Sequence, residues 1–183
     1  MKKIIILAIC ILNYPSIQSQ TPVDLVPLTD ATHTAQISGD WSNPITWGGE
    51  VPTNGAKVVI PNGLTITVDL ILPNRIKTIR LDGKHNFKNN VDTSLKVETI
   101  IGLPSSELEI GTSLNPIQNG VTATIIFIDE GAIDLNWDYN QFSKGMVMMG
   151  TTNIYGAQKT SWSALSGFPV LGTNSIQIDE TPI

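Results

Sequence analysis

Trp41 and Trp47 stand six residues apart on either side of Pro44. Exposed, two indoles on such a loop would stack on sugar rings. Buried, they would pack under the loop and cover the open apolar end of a stacked fold. A second candidate cluster is cationic: Arg75, Lys77, Arg80, Lys84 and Lys88. From Ile79 onward the residues alternate. Ile79, Leu81, His85 and Phe87 share one side, while Arg80, Asp82, Lys84, Asn86 and Lys88 share the other. A basic ladder of that kind would meet the carboxylates of an anionic polysaccharide such as hyaluronan; the plainer reading is a solvated strand face. His85 lies on the apolar side with no carboxylate spaced to orient it, and reads as a half-buried hydrogen-bonding residue, not a base. Asp134, Asn136, Asp138 and Asn140 place oxygen ligands at every second position, as calcium requires. An EF-hand is excluded, because Tyr139 and Gly145 occupy the places of its Gly and its bidentate Glu. A looser calcium site at Asp134, Asn136 and Asp138 is the one metal reading left. Glu107, Glu109, Asp129 and Glu130 are present, but no facing carboxylate pair for glycoside cleavage stands out. Nucleophilic serine, phosphate-loop and dinucleotide motifs are absent, so no catalytic residue is assigned.

These residues need a scaffold, and the composition points to strands. The chain has 183 residues, 41% of them hydrophobic and 15% charged, with 15 Gly and 11 Pro. That is one globular core and not a charged disordered tail. The net charge of −5 argues against nucleic-acid binding. Short β-rich runs alternate with turns: 57–60 (KVVI), 64–69 (LTITVD), 76–81 (IKTIRL), 95–101 (LKVETII), 107–110 (ELEI), 122–128 (TATIIFI), 132–137, 146–149 and 152–155. Period-2 alternation marks each as a strand, and no long helical period occurs. Such a series fits a β-sandwich or a β-solenoid. Alternating inward and outward faces, and the strand-like run SIQIDETPI at the end, favour the solenoid.

The first residues form an export signal. Lys2 and Lys3 precede the apolar run IIILAICIL, followed by Pro15 and the polar stretch SIQSQ. The run is too short to span a bilayer. Cleavage is expected after Ser19, which leaves Gln20 as the N-terminus and takes the net charge from −5 to −7. Cys10 is the only cysteine; Ile9 before it is not the small residue that lipidation needs. The mature chain has no disulfide and no cysteine metal site.

The string GDWSNPITWGGEVPTNGAKVVIPNGLTITVD resembles the opening of the eight-glycine extracellular domain, or G-eight domain. That family opens with a Trp, a Pro, a second Trp, paired glycines, a Val-Pro pair, an apolar strand and a Val-x-Val-Asp strand. Here these are Trp41, Pro44, Trp47, Gly48, Gly49, Val51, Pro52, residues 58–60 and residues 67–69. The pattern continues through IKTIRLDGKHNF, LEIGTSLNPI and TIIFIDEG. It resumes in GMVMMGTTNIYGAQKTSWSAL, which is similar to a segment of cell-surface hyaluronidases and fibrocystin-like proteins. His85 departs from it, standing where the family usually has an apolar residue. The resemblance implies an all-β fold: a right-handed parallel β-helix or solenoid-like stack of short strands, of which this chain is the N-terminal capping portion. The expected organisation is a signal peptide at 1–19, an extended lead-in at 20–36, the domain at 37–170 and the start of a further coil at 171–183. The expected role is a secreted or cell-surface module, carbohydrate-associated or adhesive and non-catalytic by itself. The alternatives are the N-terminal part of a hyaluronidase-like enzyme with catalysis elsewhere, and a purely structural cap. Trp41, Trp47, Arg80, Lys84, His85 and Lys88 are the candidate ligand-binding residues, an extracellular polysaccharide the candidate partner, and calcium the one candidate cofactor.

Overall fold

The computed structural model describes residues 19–159, 164–168 and 170–178. Apart from Ser19, the expected leader lies outside the described residues. Eleven strands follow in order: β1 (His33–Thr34), β2 (Gly39–Asp40), β3 (Lys57–Ile60), β4 (Thr65–Val68), β5 (Ile71–Leu81), β6 (Lys84–Phe87), β7 (Thr93–Gly102), β8 (Glu107–Ile110), β9 (Ala123–Phe127), β10 (Met146–Met148) and β11 (Thr151–Ile154). One sheet has the order β1-β3-β5-β7-β10, with β9 also paired to β7; the other runs β11-β8-β6-β4-β2. Each named pair is parallel. Neither sheet closes on itself. The pairing removes an antiparallel sandwich, because the chain crosses between sheets after almost every strand instead of folding back beside the last one.

The registers stack like on like. Val58 faces Ile79, and Ile79 faces Ile100; Ile60 faces Leu81; Ile66 faces His85, and His85 faces Leu108; Val68 faces Phe87. All of these side chains are buried, and except for His85 they belong to one apolar core between the sheets. The alternation of IKTIRLDGKHNF is thus real, but it is split. Ile79 and Leu81 point inward from β5, while His85 and Phe87 point inward from β6 in the other sheet. The turn between them is only Asp82-Gly83, and it lies against the longer turn between β3 and β4. A Cβ at Gly83 would fall on the carbonyl oxygens of Pro61 and Leu64. Gly150 meets the turn of Leu103 and Ser106 in the same way. Only glycine lets two backbones approach this closely.

Several elements depart from the sequence reading. β5 begins at Ile71 and not at residue 76, because Pro73 sits in an irregularity where the register to β7 shifts between Ile71 and Arg75. Residues 132–137 are turns and not a strand. The lead-in is not simply extended. It forms two short 3-10 helices, Pro22–Leu25 and Leu28–Asp30, and then β1. Leu25 and Val26 pack on Ile101, with Trp137, Phe142 and Val147, as a second core outside the first sheet. This explains why LKVETII shows no clean alternation at its end: Ile100 enters one core and Ile101 the other. Residues 171–178 join neither sheet, and Ile178 makes only an isolated antiparallel bridge with Leu165.

Candidate functional site

The two long strands carry the feature that builds a site. In β7, Leu95 and Val97 are in the main core, but the next core residue is Ile100. In β5, Ile76 is followed in the core by Ile79. Two residues stand where strict alternation allows one, so both strands bend, at Lys77-Thr78 and at Glu98-Thr99. The register places Lys77 beside Glu98 and Thr78 beside Thr99. One coil later the bend is replaced by a long loop. β9 pairs with β7 before the bend and β10 pairs after it. The loop leaves where Ile128 N–H donates to Val97 O (3.0 Å) and returns where Ile100 N–H donates to Gly145 O (2.9 Å).

Loop 128–145 is tied down at many points. Lys144 Nζ donates to Asp129 (2.8 Å) and to the Gly131 carbonyl, and its backbone N–H donates to Thr99 Oγ1 (3.0 Å). Asp138 is fully buried, and its carboxylate accepts from Phe142 N–H (2.8 Å) and Ser143 N–H (2.7 Å). Burial alone would raise its pKa; the hydrogen bonds from Ser143 and Phe142 outweigh that and hold it below the usual carboxylate value. Gln20 reaches across from the lead-in. Its side chain donates to Trp137 O (2.6 Å) and accepts from Asn140 N–H (3.2 Å). Gln141 and Lys144 adopt positive φ of 58° and 59°, unfavourable for residues with a Cβ and persistent only where the surroundings enforce it.

Under this loop, at the bends, lies a cleft of about 250 Å³ lined by Asn54, Arg75, Lys77, Glu98, Ile128 and Glu130. Glu98 is buried and accepts from Lys77 Nζ at 2.5 Å. Lys77 Nζ lies 5.6 Å from the centre of the Trp137 ring, a cation–π contact that fixes it from the loop side. Across the cleft Arg75 pairs with Glu130 at 2.6 Å. Two ion pairs therefore present donors and acceptors side by side on a rigid sheet. That arrangement suits paired hydroxyl groups.

The residues singled out from sequence fall elsewhere. Trp41 is 1% and Trp47 7% exposed. Their rings meet edge to face at 4.9 Å, and Trp47 Nε1 donates to Trp41 O (2.7 Å). No indole face is left for a sugar, which corrects the stacking alternative. The 3-10 helix Pro44–Trp47 holds them, capped by Asn43 Oδ1 on Ile45 N–H (3.0 Å). Asp69 staples the same loop by accepting from Ser42 N–H (3.0 Å) and Ser42 Oγ (2.6 Å).

The basic ladder is matched throughout. Arg80 pairs with Asp82, Lys84 with Glu107 and Glu109, and Lys88 with Asp40, at 2.7–3.4 Å closest approach. Arg80 Nη1 also donates to Val26 O. The Asp40 hydrogen bond holds Lys88 above its usual pKa. An unpaired cationic face toward a polyanion is not what these residues form.

His85 is buried entirely, not half-buried. Its Nδ1–H donates to Ile66 O (3.0 Å), which fixes the tautomer, and its Nε2 has no partner. It lies between Trp41 and Phe87, 5.6 and 5.5 Å from their rings, and desolvation lowers its pKa to about 4. In the calcium candidate, Asp134 Oδ1 accepts from Asn136 N–H and Asp138 is turned to its own loop. Among the described residues no three His, Cys, Asp or Glu side chains form a metal-holding group.

The G8 domain matches residues 46–166. The chain belongs to the G8 domain family. Human Fibrocystin-L is 33% identical over 86 residues, which cover 46% of this chain and 2% of that protein. The chain thus corresponds to a very small part of the relative it matches. No solved structure matches it. The G8 domain occurs in extracellular proteins such as the fibrocystin-like ones, so the setting is extracellular or at the cell surface. Among the described residues no helix is long and apolar enough to cross a membrane. The matched region contains the whole cleft, including Glu98 and Trp137, which sequence reading did not single out. The only signal for Glu98 was a lone carboxylate inside the apolar run LKVETII.

Proposed function

We propose that this G8 domain chain is an exported module that binds carbohydrate at the cleft of the strand bends and is not catalytic by itself. The observation that supports this most is the pairing of Lys77–Glu98 and Arg75–Glu130 around one small cavity on a rigid sheet. Binding sites of this kind sit where loops are carried on a rigid scaffold. The scaffold itself reads as a parallel β-helix: strands pass from sheet to sheet in chain order, and each coil stacks on the one before. The export signal at 1–19 belongs to the same reading.

A structural-cap role is the second reading. Trp41 and the 3-10 helix at Pro44–Trp47 support it, because they join the main core beside β2, a strand of only two residues at the sheet edge.

The test is a panel of size-defined polysaccharides, neutral and anionic, offered to the secreted protein with and without calcium. Binding without any shortening of the polymer is expected. Arg75→Ala combined with Glu130→Ala should weaken it at least tenfold, since both residues are exposed and their loss leaves the core intact. Polymer shortening, or no binding to any carbohydrate, would overturn the proposal.

A further inference from the structure

A second cleft, of about 310 Å³, opens between the connection that follows β8 and the segment that follows β11. Among the described residues its polar side chains are all amides: Asn89, Asn115, Gln118, Asn119 and Gln158. No charged side chain lines it. Two amides have set positions. Asn89 Nδ2 donates to Pro116 O (3.3 Å), and Asn119 Oδ1 accepts from Lys159 Nζ at the rim (3.5 Å). The side-chain amides of Asn115, Gln118 and Gln158 have no hydrogen-bond partner among the described residues and face solvent. Beside them Leu114 is 89% exposed.

The loop is not slack. Asn115 N–H donates to Thr112 Oγ1 (2.9 Å), Ile117 N–H to Tyr155 O (2.9 Å) and Gln118 N–H to Asn89 O (2.8 Å). Ile117 is itself buried in the main core. A tethered loop thus presents the amides of Asn115 and Gln118 and one apolar side chain around a small hollow, with Gln158 opposite, all three amides without a partner among the described residues.

From this we infer a second binding site, whose ligand is an uncharged, hydroxyl-rich carbohydrate. An amide both donates and accepts, and so does a hydroxyl; adjacent sugar hydroxyls match one amide at two points. A pyranose ring also has an apolar C–H face, which Leu114 covers. A carboxylated or sulfated sugar is disfavoured, because the one cation nearby, Lys159, sits at the rim on Asn119 and not in the lining, and desolvating an unpaired charge is costly. A peptide would meet the amides equally well. It would lack the combination of flat apolar face and hydroxylated rim, so the carbohydrate is favoured. The site goes beyond the cleft at the strand bends and uses none of its residues.

Neutral oligosaccharides (β-glucan and N-acetylglucosamine hexamers), a hyaluronan hexamer and a set of Asn/Gln/Ser-rich peptides should be titrated into the secreted protein. The readouts are calorimetry and amide chemical shifts. One neutral oligosaccharide should bind, with shifts confined to residue 89 and residues 112–119 and 155–159. Asn115→Ala with Gln158→Ala should weaken it at least tenfold, while Arg75→Ala with Glu130→Ala leaves it unchanged. Circular dichroism and melting will show that the exposed substitutions leave the fold intact. Preference for hyaluronan, preference for a peptide, binding lost only with Arg75 and Glu130, or no neutral sugar bound would each overturn the inference. Loss confined to one pair of residues separates failure of this site from failure of the first.

Discussion

The bend of β7 is made with two residues, Glu98-Thr99; one coil later the corresponding point is made with all of loop 128–145. The first is frame. Glu98 and Thr99 are themselves buried, and the turns at Gly83 and Gly150 leave no room for a single methyl group. The second is attachment. It is held by a buried carboxylate, a lysine and one glutamine from the lead-in, and much of it faces solvent. The difference teaches where change is tolerated. A stacked parallel array repeats its geometry, so an altered frame residue disturbs the coils on both sides. An inserted loop disturbs only itself and whatever it covers.

Gly83→Ala should therefore have a large effect for so small a change. The new Cβ would meet two backbone carbonyls, which cannot move without shifting the turn they belong to. A loss of more than about 3 kcal/mol is expected from urea denaturation. Gly145→Ala, at the end of loop 128–145, serves as the control. Nothing lies within 4 Å of the place its new Cβ would take, so the change should stay within about 0.5 kcal/mol. Equal effects at the two positions would erase the distinction between frame and attachment.

Trp41→Ala should cost about 3–5 kcal/mol, the usual loss for emptying a buried aromatic site. Here it also removes the ring against which Trp47 and His85 pack.

The frame was largely legible in the sequence because its signal is local. LTITVD and ELEI each repeat the inward-outward period within four to six residues, KVVI is a short β-branched run, and the structure places strands at all three. Legibility ended where burial has two sources. Glu98 and Ile101 sit in an apolar run, and nothing in that run tells that residues 20–26 and 128–145 cover its outer side. The same limit applied to the ladder of cations: Lys84 finds Glu107 and Glu109 about one coil away, a pairing that depends on register and not on alternation. Trp41 and Trp47 could be read in two ways from sequence, and the Asp69 staple decides between them.

His85 gives the frame a pH dependence that the loop does not share. Its folded pKa of about 4 lies below the unfolded value of 6.5. As pH falls through 6.5 the unfolded chain takes up a proton that the folded one refuses, so stability declines until about pH 4 and is then level. Groups with charge on the elements around it (Lys84, Glu107, Glu109, Asp40 and Asp69) have partners on or near the outer face of that sheet. The loss is about 3 kcal/mol across that window. His85→Leu, which matches its neighbours Ile66 and Leu108, should remove it. Asp138 works in the same sense, but only below that window. Its depressed pKa means that its contribution is present above the unfolded carboxylate value and is lost as pH falls through the folded one. Asp138→Ala should cost about 2 kcal/mol at neutral pH, because two buried N–H groups lose their acceptor. A pH profile between 4 and 7 that is unchanged in His85→Leu would contradict the buried, unpartnered Nε2.

Arg75→Ala is expected to have the smallest effect on stability, and the comparison depends on it. Arg75 and Glu130 have side chains 60% and 53% exposed, so their attraction is screened by water and partly offset by the entropy of holding two long side chains together. The contact nevertheless joins the frame to loop 128–145. If the loop is held by Asp138, Lys144 and Gln20, removing Arg75 should change the unfolding free energy by less than about 0.5 kcal/mol. Hydrogen exchange of amides 128–145 should then stay as it is in the parent protein. A loss above about 1 kcal/mol, or faster exchange confined to the loop, would show that the ion pair itself anchors the loop. The cleft would then be a structural joint, and its polar walls would be occupied in holding the molecule together instead of being available to a ligand.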